Sequence, residues 1–320
     1  MPRRGLRGGH VQTVASFLLP RRFNLPAPEA RFIEVAPGIQ VLCQCHWQAD
    51  RTKPLTIIIV HGLEGSSESQ YALGVTEKAL AAGMNVIRYN QRNCGGTDAL
   101  APVLYHSGLS DDVAAVAREI MQRDHVSQLA LVGFSMGGNL VLKLAGEWGA
   151  QANSPPQFRA VAACCPAMDL AASADALHET SNRLYELFFL FSLRRRMIRK
   201  ASLFPGHFDA GRMRGMRSLR DFDHQITAYY CGFSGADDYY ARSSASNVVD
   251  KIAVPTLIVH AANDPFVRIL PETRRKIAAN PNITFIEAQD GGHCAFVGSR
   301  NGGGAGFWAE SEMVNFLRGI

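Results

Sequence analysis

The sequence LALVGFSMGGNLVLKLAG, residues 129–146, predicts a strand, a sharp turn and a helix in immediate succession. The apolar run Leu129–Val132 is typical of a buried strand, and the residues after Gly137 are typical of a helix. Gly133 and Gly137 flank Ser135 at the spacing G-x-S-x-G, which lets a strand and a helix approach closely around a strained serine. The Ser135 hydroxyl would lie at a helix N-terminus, where negative charge is stabilised, so this stretch predicts a nucleophilic serine.

The segments on either side of this stretch alternate between predicted strands and predicted helices. A hairpin is expected at residues 31–47, and buried strands are expected at residues 55–60, 84–89, 160–164, 256–260 and 283–287. Helices are expected at residues 71–82, 110–124, 268–279 and 307–317. This α/β alternation predicts a mainly parallel sheet with helices on both faces, whose functional residues gather at the carboxyl ends of the strands.

The alternation stops between residues 166 and 245, which we interpret as an inserted helical cap. The remaining chain then divides into an N-terminal arm at residues 1–30 and a core built from residues 31–165 and 246–320. One apolar set in the cap has two interpretations: packing onto the core, which we favour, or contact with a substrate or a membrane surface. This set comprises Leu184, Tyr185, Leu187, Phe188 and Phe191.

The composition describes a globular protein of 320 residues, with 47% hydrophobic and 19% charged residues. The net charge of +5 is too small to indicate nucleic-acid binding, and no motif of that class is present. Seven cysteines without a C-x-x-C pair argue against a disulfide framework or a zinc site and for a reducing compartment. No signal peptide and no apolar run of membrane-spanning length is evident, so we expect a cytoplasmic protein that requires no metal and no cofactor.

Two further side chains supply the groups that a serine nucleophile requires. A serine hydroxyl becomes reactive when a base takes its proton, and a carboxylate must hold that base in one tautomer. Asp264 follows the predicted strand at residues 256–260, and His293 follows the next strand behind two glycines. The chain therefore presents nucleophile, acid and base in the order Ser135, Asp264, His293.

Other acidic residues compete with Asp264 for this role. Asp169 follows the preceding strand and is a rival acid, and Asp264 itself precedes a proline and could start a turn or cap a helix. Asp290 is nearer to His293 in sequence, but it precedes two glycines and is expected to bond to the backbone.

Acyl transfer also needs donors for an oxyanion. One donor is expected to be the N–H of Met136, which follows the nucleophile. The second is expected to be the N–H of Leu63, in the loop after the strand at residues 55–60. His61 in that loop is interpreted as an organiser of the loop and not as a second base.

Several longer segments carry a specific resemblance. They are GHVQT at 9–13, HGLEGSSESQY at 61–71, NQRNCGG at 90–96, YHSG at 105–108, GFSMGGN at 133–139, DDYYARSS at 237–244, NDPF at 263–266 and GGHCAF at 291–296. Together they are similar to the α/β-hydrolase superfamily, and within it to the YheT-like and ABHD1/ABHD3-type esterases. The resemblance implies the α/β-hydrolase fold, a triad of Ser135, Asp264 and His293, and carboxylic-ester or acyl-lipid substrates, often of medium chain length.

The chain departs from this family at three points. Ala295 replaces a frequent glycine shortly after His293, a change expected to shift the pocket wall. Asn93 occupies a position where relatives usually carry glycine, and asparagine tolerates the left-handed backbone better than most residues do. The N-terminal membrane helix of the eukaryotic relatives is not seen in the sequence, so we do not expect their membrane-phospholipid activity to carry over.

The sequence thus predicts a serine hydrolase of lipid metabolism that cleaves short- to medium-chain acyl esters or acyl lipids through an acyl-enzyme. Its predicted partner is a small-molecule acyl ester, and its oligomeric state is not predicted. Two alternatives stay open. The same triad could pass the acyl group to an alcohol, as an acyltransferase does, and a non-catalytic binding protein could use the same fold.

Overall fold

A single sheet organises the part of the chain that the computed structural model describes, residues 5–298 and 306–320. Within those residues eight strands pair in the order β1-β2-β4-β3-β5-β6-β7-β8. The β1/β2 and β2/β4 pairs are antiparallel and all other neighbours are parallel. The strands are β1 Glu29–Ala36, β2 Ile39–His46, β3 Thr56–Val60, β4 Asn85–Tyr89, β5 Leu129–Phe134, β6 Phe158–Cys164, β7 Thr256–Ala261 and β8 Ile283–Ala288.

Helices cover both faces of this sheet because its central strands are buried on both sides. Ile57 and Ile59 of β3 pack toward the helices Gln70–Ala81 and Trp308–Arg318, whereas Ile58 and Val60 pack toward the helices Ser110–Arg123 and Met136–Ala150. The sequence prediction of a mainly parallel α/β fold is therefore confirmed. The helices are α1 Gly9–Leu18, α2 Gln70–Ala81, α3 Ser110–Arg123, α4 Met136–Ala150, α5 Leu170–His178, α6 Arg183–Leu203, α7 Leu219–Phe222, α8 Tyr229–Cys231, α9 Ala236–Ser243, α10 Pro271–Ala279 and α11 Trp308–Arg318.

The predicted N-terminal arm, residues 1–30, contains a helix that the sequence pattern did not indicate. Residues 1–4 lie outside the described part of the chain, and α1 begins at Gly9. Gln12 and Thr13 of α1 are buried while Val11 and Val14 are exposed. The helix therefore packs onto the protein through polar side chains, which an apolar periodicity does not reveal.

The inserted segment is helical, and α5 to α9 lie within it. Its residues form an apolar cluster of their own with Phe266 and Val267 from the loop after β7. The predicted packing of the apolar set of α6 onto the core is wrong for four of its five members, because Leu184, Leu187, Phe188 and Phe191 are exposed. The same helix buries a different row, made of Leu190, Leu193 and Met197. No helix in residues 5–298 and 306–320 is long and apolar enough to cross a bilayer.

The C-terminal half of α6 is fastened to the loop after β4. Lys200 Nζ is buried and donates to Asn93 Oδ1 at 3.0 Å and to the Asp98 carbonyl at 2.9 Å. Asn93 adopts a φ of 63°, so the expected left-handed backbone is found at this position. The loop therefore keeps its shape with asparagine and gains a side-chain contact with the cap.

Candidate active site

Ser135 lies on the turn between β5 and α4 with a strained backbone. Its φ is 53° and its ψ is −118°, a conformation that is costly for a residue with a side chain. A Cβ atom at Gly133 would collide with the carbonyl of Gly137, and one at Gly137 would collide with the carbonyl of Val60. Both glycines are therefore required sterically, and together they present the serine at the carboxyl edge of the sheet.

Asp264 and His293 meet beside this turn. Asp264 follows β7 and His293 follows β8, and Asp264 Oδ2 lies 2.8 Å from His293 Nδ1. The other carboxylate oxygen, Oδ1, accepts the N–H groups of Phe266 at 3.1 Å and Val267 at 2.9 Å. These contacts fix the carboxylate, and the carboxylate in turn orients the imidazole.

Electrostatics keep Asp264 ionised despite its burial. Burial by itself would raise the pKa of Asp264, but the charge of His293 and the hydrogen bonds from His293 and Val267 outweigh that effect. The net result is a pKa below the ordinary aspartate value. An ionised acid at this position stabilises a positive charge on the imidazole.

The two competing acids have other partners. Asp169 Oδ2 accepts the N–H of Leu270 at 2.9 Å, and its Oδ1 accepts the hydroxyl of Thr273 at 2.8 Å, so Asp169 holds the start of α10. Asp290 Oδ1 accepts the Asn263 side-chain amide at 2.8 Å and the N–H of Gly8 at 3.3 Å. Of the three acidic residues considered in the sequence, Asp264 is the one that contacts His293.

The loop after β3 lies against Ser135 and offers backbone donors. A Cβ atom at Gly62 would lie 3.1 Å from Ser135 Cβ and 3.6 Å from its Oγ. Across the described residues, the N–H of Leu63 donates to no acceptor of the protein, and the N–H of Met136 belongs to the first turn of α4, whose donors lack intrahelical partners. The predicted oxyanion donors therefore lie on the two segments that meet at the nucleophile.

The cap helix α6 reinforces the loop that carries Leu63. Arg196 Nε donates to Glu64 Oε1 at 2.8 Å, and the Tyr105 hydroxyl donates to the same oxygen at 2.6 Å. Glu64 has a φ of 56°, and its N–H donates to the Tyr105 oxygen at 3.0 Å. Arg196 of the cap thus holds Glu64, the residue next to the proposed donor Leu63.

His61 serves the same loop as a neutral side chain. It is buried, and burial is the main reason that its pKa falls to about 4. Its Nε2 accepts the N–H of Gln91 at 3.2 Å, and its Nδ1 lies 2.8 Å from the carbonyl of Gly62. The interpretation of His61 as an organiser of the loop agrees with these contacts.

Helix α1 contacts the base through Thr13 and the loop after the base through Gln12, and the sequence predicted neither contact. Thr13 Oγ1 accepts the N–H of His293 at 2.8 Å. Gln12 Oε1 accepts the N–H of Val297 at 2.7 Å, and its Nε2 donates to the carbonyl of Val297 at 3.2 Å. The motif GHVQT was the available signal, since it contains both side chains at a conspicuous position near the start of the chain.

Three thiols lie behind the histidine. The sulfur atoms of Cys164, Cys165 and Cys294 lie within 4.8 Å of one another, and Cys294 Sγ lies 3.9 Å from His293 Nε2. Burial raises the pKa of all three thiols well above the ordinary cysteine value. These thiols are therefore poor nucleophiles, because the thiolate is the reactive form of cysteine.

Two cavities meet at Ser135. The first has a volume of about 110 Å³ and lies under the cap, where Ser135 and Met136 line it together with apolar side chains. The second has a volume of about 310 Å³ and is lined by Ser135, His293 and Leu63 together with charged groups. Most residues lining the first cavity are apolar, among them Leu104, Leu170, Ala174, Leu177, Leu193 and Phe222, and Arg196 and Asp223 also line it. Charged residues lining the second are Arg21, Glu64, Glu68 and Glu310.

Several known proteins are similar to this chain over most of its length. The chain is 30% identical over 309 residues to the Escherichia coli protein YheT, covering 93% of this chain and 87% of that one. It is 27% identical over 250 residues to mouse phospholipase ABHD3 and 25% identical over 279 residues to Saccharomyces cerevisiae monoacylglycerol lipase, covering 77% and 84% of this chain. It spans 59% and 60% of the length of those two relatives.

Solved structures share the fold at low sequence identity. The Pyrococcus furiosus esterase Pf2001 superposes with a TM-score of 0.60 at 15% identity, over 93% of this chain and 98% of that one. A family model described as alpha/beta hydrolase fold matches residues 56–299, which is most of the chain and includes Ser135, Asp264 and His293. The chain therefore belongs to the α/β-hydrolase family.

Proposed function

We propose that this protein is a serine esterase that hydrolyses carboxylic esters through an acyl-enzyme. In this proposal Ser135 is the nucleophile, His293 the base and Asp264 the acid that orients it. The observation that carries the proposal is the 2.8 Å contact between His293 Nδ1 and Asp264, beside a strained serine that shares a cavity with the histidine. The relatives named as a monoacylglycerol lipase and a phospholipase support ester hydrolysis as the class of reaction.

The reaction begins with a proton transfer. His293 Nε2 takes the proton of Ser135 Oγ while that oxygen attacks the acyl carbonyl carbon, and the ionised Asp264 balances the charge of the imidazolium. The oxyanion accepts hydrogen bonds from the N–H groups of Leu63 and Met136. The ester C–O bond then breaks, and His293 returns the proton to the leaving alkoxide. Water repeats the sequence on the acyl-enzyme and releases the acid.

We assign one cavity to each half of the ester, the alcohol and the acyl chain. The leaving oxygen must reach His293, because that residue protonates it, and His293 lines the larger cavity but not the smaller one. We therefore assign the larger cavity to the alcohol, and we call it the alcohol cavity. The smaller, apolar cavity receives the acyl chain, and we call it the acyl cavity. Its smaller volume favours short to medium chains, and the charged groups of the alcohol cavity favour a polar alcohol.

The proposal is tested by hydrolysis of p-nitrophenyl esters from acetate to laurate. We expect kcat/KM to pass through one maximum along the series and to fall about 10⁴-fold in Ser135→Ala. A fluorophosphonate probe should label the wild type and not this variant. Ser107→Ala is the matched control: Ser107 also lines the acyl cavity, and this variant should still be labelled because it retains Ser135. Full activity in Ser135→Ala, or a wild type that neither hydrolyses these esters nor is labelled, would reject the proposal.

A further inference from the structure

Two helices beside the alcohol cavity expose large apolar side chains. On α1, Phe17 is 67% exposed and Leu18 75% exposed. On α6, Leu184 is 81% exposed and Phe191 60% exposed. Apolar residues exposed singly are common, but a contiguous set on neighbouring elements indicates an interaction surface. We call this set the apolar face; it comprises Val14, Phe17, Leu18, Leu184, Leu187, Phe188 and Phe191.

The two parts of the apolar face are contiguous. The rings of His10 on α1 and Tyr185 on α6 stack with centroids 5.7 Å apart, and His10 Nδ1 lies 3.2 Å from the Tyr185 hydroxyl. Phe17 and Phe188 line the alcohol cavity, and each is more than half exposed. The cavity therefore reaches the surface within the apolar face, and a molecule held there has a direct path to Ser135.

Positive charge continues the apolar face along α6. Positions 184, 188, 191, 195 and 199 are spaced by three or four residues and share one side of the helix. The last two positions are Arg195 and Arg199. Both are exposed, and Arg199 Nε also lies 3.4 Å from Asp98 Oδ2. The guanidinium of Arg195 lies 5.6 Å from the centre of the Phe191 ring. Apolar groups beside arginines on one helix side match the chemistry of an interface between lipid tails and anionic head groups.

We propose that the apolar face docks on the surface of an anionic phospholipid bilayer. Its leucine and phenylalanine side chains enter the interfacial region, and Arg195 and Arg199 contact lipid phosphates. A second copy of this chain is a poorer occupant, since a two-fold interface would bury Arg195 and Arg199 and the residues of the apolar face include no carboxylate to pair with them. The docking needs no chemistry at Ser135, so it stands independently of the proposed esterase reaction.

The test is co-sedimentation of the full-length protein with phosphatidylcholine vesicles that contain about one third phosphatidylglycerol. We expect wild type and Ser135→Ala to bind equally, and binding to weaken at high salt or on pure phosphatidylcholine. Phe191→Glu should weaken binding at least tenfold. Phe32→Glu is the matched control, because Phe32 is similarly exposed on β1, at the edge of the sheet, and its substitution should leave binding within twofold.

Three results would overturn this proposal. The first is a wild type that does not sediment with the anionic vesicles. The second is an equal loss of binding in Phe191→Glu and Phe32→Glu, which would show that added negative charge acts regardless of position. The third is a dimer in solution that Phe191→Glu dissociates, because the face would then be covered by another copy. Hydrolysis of a water-soluble ester, measured in parallel, should stay within twofold in both variants and reports separately on folding.

Discussion

The hydroxyl of Thr13 accepts a 2.8 Å hydrogen bond from the backbone N–H of His293, 280 residues further along the chain. The same hydroxyl donates to the carbonyl of Gly9 at 2.7 Å, so both of its roles are used within the protein. Gly292 has a φ of 57°, and a Cβ atom there would approach the carbonyl of Gly9 to 2.5 Å. Helix α1 therefore fixes the backbone on which the proposed base is mounted.

Replacing Thr13 with valine should impair catalysis as well as stability. The change keeps the shape of the side chain but leaves the N–H of His293 without its acceptor, at a cost of about 1–3 kcal/mol. Because the loop can relax by moving His293, we expect kcat to fall about tenfold with a smaller change in KM. Thr13→Ser retains the hydroxyl and should stay close to wild type in steady-state kinetics. An unchanged kcat in Thr13→Val would show that Thr13 does not position the base.

Replacing Asp264 with asparagine should lower kcat by about 10⁴, because the amide favours the wrong tautomer of His293 and cannot balance its charge. The matched control is Asp290→Asn, since Asp290 lies close by in sequence but contacts Asn263 and Gly8 instead. We expect that variant to retain activity within about threefold. Equal losses in the two variants, measured as kcat on one ester, would contradict the assignment of the acid.

The contribution of Asp223 to the free energy of unfolding should fall as the pH rises from about 4 to 6. Burial is the main cause that raises the pKa of Asp223 to about 6, and hydrogen bonds from Tyr240 and Thr227 oppose it. An aspartate in the unfolded chain has a pKa of about 3.9, so in this window the folded protein holds a proton that the unfolded chain has released. Stability is lost wherever the folded state binds more protons, in this case by up to about 3 kcal/mol.

Asp223→Asn removes this titration. Denaturant titrations at several pH values measure the free energy of unfolding. As the pH rises from about 4 to 6, this free energy should increase for the variant relative to the wild type. Asp221→Asn is a control for which the pH dependence of the stability difference should have the opposite sign. The burial of Asp221 would raise its pKa, but hydrogen bonds from Arg217 and Ser218 outweigh that effect and leave the pKa below the ordinary value. A difference for Asp223→Asn that does not vary with pH would contradict the prediction.

Enlarging Ala174 should shorten the preferred acyl chain. Ala174 is a buried residue of α5 that lines the acyl cavity. In Ala174→Leu the added carbon atoms occupy space that the substrate uses, and each methylene that no longer fits costs about 1–3 kcal/mol in transition-state binding. We expect the ratio of kcat/KM for octanoate to that for acetate to fall at least tenfold. Ala241→Leu, on the exposed side of α9, should leave the ratio unchanged; a similar fall there would locate the effect outside the cavity.

The sequence predicted the sheet and the elements that surround Ser135 because those signals are local. Buried strands and the G-x-S-x-G turn are encoded in a few consecutive residues. The choice between Asp264 and Asp169 is different, since both follow strand ends and the sequence cannot show which carboxylate reaches His293. The structure distinguishes them by their partners: Asp264 contacts His293, about 30 residues away in the chain, and Asp169 contacts Leu270, about 100 residues away.

The contacts of α1 and the exposed side of α6 could not be predicted, because both depend on parts of the chain that are distant in sequence. Thr13 and Gln12 act through hydrogen bonds to the other end of the chain, and a polar contact leaves no periodicity to detect. Helix α6 is apolar on more than one side, with Leu190 buried and Phe191 exposed. Such a pattern favours a prediction of burial all round, so the exposed row becomes visible only when the partners of the helix are known.

The meeting of two cavities at Ser135 has a kinetic consequence for the proposed enzyme. While the acyl chain remains in its cavity on Ser135, the attacking water must reach His293 through the space that the first product vacates. A second alcohol can enter that space as readily as water can. The partition of the acyl-enzyme between hydrolysis and transesterification is then set by competition for one volume of about 310 Å³, and added alcohol should divert product without slowing the formation of the acyl-enzyme.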